Sequence, residues 1–215
     1  MSPEPIEPEP RWHALIAIAA ITGLYLALPP SLTVGPRLVL PAIVGLMLIP
    51  LVLTHQRRRH RLNNALGVAM TSVLTIAMIV SLALLIAALP ARKESGPELI
   101  RSATALWLTN VLVFALWYWR LDAGGPHARD LRQRHATEAF LFPQMTIRPR
   151  AGEPEPPRWS PQFVDYLFLA FNTSTAFSPT DTPVLTRWSK IAMMIQSLIS
   201  LTVLAILAAR AVNIL

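Results

Sequence analysis

The chain has 215 residues, of which 53% are hydrophobic and 14% charged, with 20 Pro, 8 Gly and no Cys. Soluble domains carry about 25% charged residues, and the apolar residues here fall in long uncharged blocks, which excludes an ordinary soluble enzyme. The absence of Cys excludes disulfides, thiolate metal sites and cysteine nucleophiles. The net charge of +7 lies mostly in two connections between apolar blocks, as topology signals do, so nucleic acid is not the expected partner.

Residues 1–11 are acidic and Pro-rich and are predicted to form a disordered cytoplasmic tail. A bilayer core about 30 Å thick is crossed by roughly 20 helical residues. Five blocks approach that length: 12–30, 38–54, 64–89, 102–119 and 191–209. The first lacks a basic start and a small-residue cleavage site, so it reads as a retained anchor. The second contains Pro41 and Pro50, which predict kinks. The fourth ends on Trp117-Tyr118-Trp119, an interfacial aromatic belt, just before Arg120.

A weaker apolar stretch at 163–177 carries Asp165 near its start and Asn172-Thr173-Ser174-Thr175 towards its end. Fifteen residues at 1.5 Å each reach only about 22 Å, which predicts a re-entrant half-helix, with a short sixth span as the alternative. The fold class expected is therefore all-α: a polytopic transmembrane helical bundle of five spans plus one short helix. It divides into the tail, a four-helix region at 12–119, a connection at 120–161 and a C-terminal piece at 162–215. In the connection, Gly124-Gly125 can end the fourth helix and Pro126 can open a short interfacial helix over 127–142. Residues 149–161 hold five Pro and read as an extended linker.

Arg11, the cluster Arg57, Arg58, Arg59 and Arg61, and seven Arg between 120 and 158 give 12 basic residues on one side. Arg37, Arg92, Lys93 and Arg101 give four on the other. The positive-inside rule then predicts an inner (plasma) membrane protein with a cytoplasmic N-terminus. The cluster Arg57, Arg58, Arg59 and Arg61 is the expected lipid-headgroup patch. His55 and His60 flank the Arg cluster with no carboxylate in that connection, His127 and His135 are eight apart without a ligand set, and no metal is predicted. No phosphate loop, nucleophile elbow or zinc-protease motif occurs, so neither enzyme activity nor a cofactor is expected.

The runs Trp-Tyr-Trp-Arg-Leu-Asp-Ala-Gly-Gly-Pro (117–126), Phe-Pro-Gln-Met (142–145) and Ala-Phe-Ser-Pro-Thr-Asp-Thr-Pro (176–183) resemble an uncharacterised bacterial family of small multi-span membrane proteins. The resemblance implies topology and no particular activity. The C-terminal part also distantly resembles a potassium-channel pore module, with Thr173, Thr175, Asp181 and Pro183 beside the pore-helix and filter pattern. It departs in having no Gly after Asp165, whereas a carbonyl-lined filter uses backbone angles that Gly adopts cheaply.

Two functions follow as expectations. The first is a small ion channel-like or permeation protein, homo-oligomeric, with Asn172, Thr173, Ser174, Thr175, Ser178, Asp181 and Gln196 as pore-lining candidates. The second is a non-conducting scaffold or accessory subunit that holds a cytoplasmic protein through 120–161. If the polar side chains of 172–175 converge on a cavity, the pore gains; if neighbouring carbonyls cap them, the scaffold gains.

Overall fold

The structure, a computed structural model, describes residues 9–57, 59–89, 95–131, 138–147, 159–175 and 182–212. It is all-helical, with seven α-helices among the described residues: α1 (Trp12–Ala27), α2 (Val39–Gln56), α3 (His60–Ala88), α4 (Gly96–Leu121), α5 (Pro126–Leu131), α6 (Phe163–Thr175) and α7 (Arg187–Val212). Among the described residues, α2, α3, α4 and α7 are long and apolar enough to cross a membrane, whereas α1 has 16 residues.

Helix α4 is the centre, because α1, α3, α6 and α7 all pack on it, while α2 lies outside against α3. Its start is a capping box, with the Ser95 hydroxyl and Glu98 carboxylate 2.8 Å apart and Pro97 in the first turn. Its end is a left-handed run, with φ of 52° at Ala123, 82° at Gly124 and 91° at Gly125, after which Pro126 opens α5. A side chain at Gly125 would meet the Arg120 carbonyl at 2.9 Å, so the turn needs glycine.

Helices α1 to α4 alternate in direction. Trp117 Nε1 donates to Thr75 Oγ1 at 2.9 Å and Gly67 faces Arg120, so α3 runs antiparallel to α4. Helix α2 continues through Pro50 as one helix, and Pro41 sits in its first turn, where a missing N–H costs nothing. Asn63 Nδ2 donates to the Leu51 carbonyl at 2.7 Å, tying the start of α3 to α2. At the opposite end, Arg37 donates to the Leu26 and Leu28 carbonyls (3.0 and 2.7 Å), closing the end of α1.

The short helix α6 also runs antiparallel to α4 and stops part-way down it. Phe163 lies against Trp119, and Phe171 lies against Trp107. Helix α7 starts at the same end as α6, since Trp188 packs on Phe140, which packs in turn on Tyr118 and Tyr166. Just before α7, Leu141 N–H donates to the Pro183 carbonyl (2.9 Å) and Leu185 N–H to the Ala139 carbonyl (2.8 Å), around an antiparallel bridge between Phe140 and Val184. The chain thus goes down along α6 and is back at its starting end by Thr182. Arg187 and Lys190 thereby join the basic end of the molecule.

Two sequence expectations are corrected here. A single interfacial helix over 127–142 does not form: α5 ends at Leu131, and 139–142 is a non-helical segment whose Phe140 is wholly buried among aromatic rings. The tail does not extend to residue 11, because Glu9 is buried. Its carboxylate accepts from Trp119 Nε1 and the Phe163 N–H (both 2.7 Å) and pairs with Arg129 at 3.4 Å. Helices α6 and α7 both pack on α4.

Beside Glu9, Asp122 is fully buried at the end of α4. It accepts from the Ala139 N–H and from Tyr166 Oη (both 2.6 Å), and Arg129 donates to the Asp122 and Trp119 carbonyls at 3.0 and 2.7 Å. One carboxylate thus joins α4, the 138–142 segment and α6. Tyr166→Phe leaves one buried carboxylate oxygen without its donor and is expected to cost about 1–3 kcal/mol. Asp122→Ala strands two donors and will cost more. Unfolding of the purified variants in detergent measures both.

Candidate functional site

The polar tip of α6 faces α7 and α4. Ser174 is buried, and its hydroxyl accepts from Gln196 Nε2 at 2.7 Å. The same amide donates to the Ala170 carbonyl at 2.7 Å, and Gln196 Oε1 accepts from Tyr118 Oη at 2.5 Å. Gln196 is wholly buried with every side-chain hydrogen-bonding group engaged across three helices. Ser197 donates to the Thr173 carbonyl (3.3 Å), and Asn110 donates to the Gln196 carbonyl (3.1 Å) and to Ser200 Oγ (2.9 Å).

The other tip residues turn back on their own helix. Thr173 Oγ1 donates to the Leu169 carbonyl at 2.8 Å, and Thr175 Oγ1 to the Phe171 and Asn172 carbonyls at 3.1 and 3.2 Å. Asn172 is half-buried. Ser178 and Asp181 lie outside the described residues. Asp165 accepts from the Gln162 N–H at 2.8 Å, a reach-back bond that satisfies a donor at the start of α6. The hydroxyls at 173–175 are thus spent on carbonyls and on Gln196, and Gln196 itself joins helices.

A second constellation lies at the basic end, between α1, α2, α3 and the α4–α5 turn. A cavity of about 360 Å³ is walled there by Arg120, Arg61, Asn64 and His60 on one part, and by Leu15, Ile18, Leu51 and Val52 on another. The rings of His60 and His127 stack on each other in its wall, with centroids 3.2 Å apart and planes at 8°. Three histidines (His55, His60 and His127) line the cavity, yet among the described residues no cluster of three His, Cys, Asp or Glu is placed to hold a metal.

Arg120 is the unusual member. It is 6% exposed, and among the described residues its Nε has no hydrogen-bond partner and it makes no ion pair. The guanidinium lies 5.1 Å from the Trp119 ring centroid and rests on Gly67, where any added methyl would overlap it. Burying a cation without a counter-ion costs several kcal/mol. In the sequence this residue looks like the boundary charge beyond an aromatic belt; only the packing of α3 shows that it points inward. Arg57, Arg59 and Arg61 are exposed near the α2–α3 turn, and Arg58 lies outside the described residues. Of the described members of that cluster, Arg61 lines the cavity.

Comparison of the chain with protein-family models, curated proteins and solved structures gives no match.

Replacing Gln196 by Leu removes the acceptor of Tyr118 and the donors to Ala170 and Ser174. The expected loss is about 1–3 kcal/mol. Thr173→Val removes one bond within a single helix and is expected to cost under about 1 kcal/mol. Thermal unfolding of the two variants in detergent compares them directly.

Proposed function

We propose that this chain is an integral protein of a bacterial inner membrane, with a cytoplasmic N-terminus, five spans (α1, α2, α3, α4 and α7) and α6 as a re-entrant half-helix. Large apolar side chains stand exposed along the outer faces, such as Leu46 at 72% and Leu201 at 64%, which suits contact with lipid tails. The ends of α4 and α6 that meet near Asp122 lie on the side with the more numerous arginines, which supports a cytoplasmic assignment for that side.

Within the membrane we read the protein as a non-conducting scaffold or accessory subunit. The observation that carries this reading is the engagement of Thr173, Ser174, Thr175 and Gln196 with neighbouring groups. A solute path needs oxygens free to replace hydration, and these are taken up: Ser174 and Gln196 join helices, and the Thr173 and Thr175 hydroxyls bond to carbonyls of α6 itself. The connection 120–161 then serves two purposes. Its segments 122–131 and 138–142 are anchored in the bundle, and exposed residues such as Ile147 (64%) face outward at the same end for a cytoplasmic partner.

One observation favours the permeation reading. Helix α6 stops part-way along α4 and the chain comes back, the order of parts in a pore module. In a homo-oligomer that hairpin would stand near a shared axis.

Purified protein in liposomes is expected to pass no more potassium, sodium or proton than empty liposomes, at any voltage. A cation flux abolished by Thr175→Val would overturn the scaffold reading in favour of permeation. The topology has its own test in this Cys-free chain. Ser160→Cys and Pro183→Cys are expected to react with an impermeant thiol reagent from the same face, and Val34→Cys from the other. Labelling of 160 and 183 from opposite faces would make α6 a sixth span.

A further inference from the structure

The basic cavity has two chemically different parts. Its inner wall carries Arg120, buried and with an unsatisfied Nε, and Arg61 stands at its rim. Its other wall is aliphatic, and Leu15 and Val52 on it remain exposed on the outer faces of α1 and α2. No Asp or Glu occurs among the described residues lining it. Glu9, an acid beside Trp119, is already shared by Arg11, Arg129, Trp119 and the Phe163 N–H. The cavity thus presents positive charge that its own described walls do not neutralise.

We propose that this cavity binds an anionic phospholipid from the leaflet at this end, with the phosphate on Arg120 and Arg61 and an acyl chain along Leu15, Ile18 and Val52. The guanidinium fork matches two phosphate oxygens, and the bond is charge-assisted and shielded from water. It supplies the counter-ion that Arg120 lacks. Gly67 makes the room: without a side chain it lets the guanidinium lie close against α3 in the wall of the cavity. A free phosphate would satisfy Arg120 but would leave the aliphatic wall unused. A lipid uses both parts, and basic pockets between helices on the cytoplasmic side suit anionic headgroups.

The inference rests on the membrane placement given above, but it fails separately: thiol labelling tests the placement, and lipid retention tests the site. The full-length protein in detergent is titrated with phosphatidylglycerol, phosphatidylcholine and inorganic phosphate, with native mass spectrometry for retained adducts and thermal unfolding in parallel. Phosphatidylglycerol is expected to be retained as one adduct and to raise the unfolding temperature, with neither effect from the other two. Arg120→Gln is expected to weaken retention by about tenfold or more, and Gly67→Ala to do the same by displacing the guanidinium. Because both lie in the core, Arg61→Gln and Leu15→Gln at the rim serve as milder variants. Each should lower retention while leaving the unfolding temperature without lipid unchanged. Equal retention of phosphatidylcholine, or full retention of phosphatidylglycerol in folded Arg61→Gln and Leu15→Gln, would overturn the proposal. Stabilisation by inorganic phosphate alone would overturn the lipid as the occupant.

Discussion

A polar atom buried in an apolar bundle has no water to turn to, so it must find its partner inside the molecule. The centre of this protein is arranged around that constraint. Helix α4 touches four other helices and carries Asn110, Tyr118 and Asp122, each of which reaches a partner on another element. Side chains elsewhere complete the set: Gln196 from α7, Tyr166 from α6 and the backbone of Ala139. Remove α4 and each of these groups is stranded.

The same constraint explains how a helix too short to span can hold its position. Helix α6 is clamped at two heights. Near its start, Tyr166 binds Asp122 and the Phe163 N–H binds Glu9; near its tip, Ser174 and the Ala170 carbonyl bind Gln196. Aromatic edge contacts from Phe140 to Tyr118, Tyr166 and Trp188 fill the space between the upper ends of α4, α6 and α7. A helix held this way behaves as a brace. Of the hydroxyls that give its tip a channel-like composition, Ser174 helps to hold it, and those of Thr173 and Thr175 bond within the helix.

Arg120 breaks the pattern. Every other buried charge discussed here has a partner: Glu9 has Arg129, and Asp122 has Tyr166 and Ala139. Arg120 has an aromatic face and a glycine surface, and no carboxylate among the described residues. A buried cation without a carboxylate among the described residues calls for a counter-ion from outside the chain, and the cavity that Arg120 lines has room for one.

Much of the architecture was legible in residue order. Uncharged block lengths marked the helices, Gly124-Gly125-Pro126 marked the turn after α4, and the short stretch ending in Asn-Thr-Ser-Thr marked α6 as unlike the others, because each of these depends on neighbours in the chain. Composition alone could not say whether Thr173, Ser174 and Thr175 face a path or a carbonyl. Nor could it say that Glu9 is buried 154 positions from its partner Phe163, or that the Arg120 guanidinium lies against Gly67. Those outcomes depend on which helix faces turn together. Hydrophobic length determines that a helix lies in the apolar layer, while its rotation and its polar contacts are decided only when the neighbouring helices close around it.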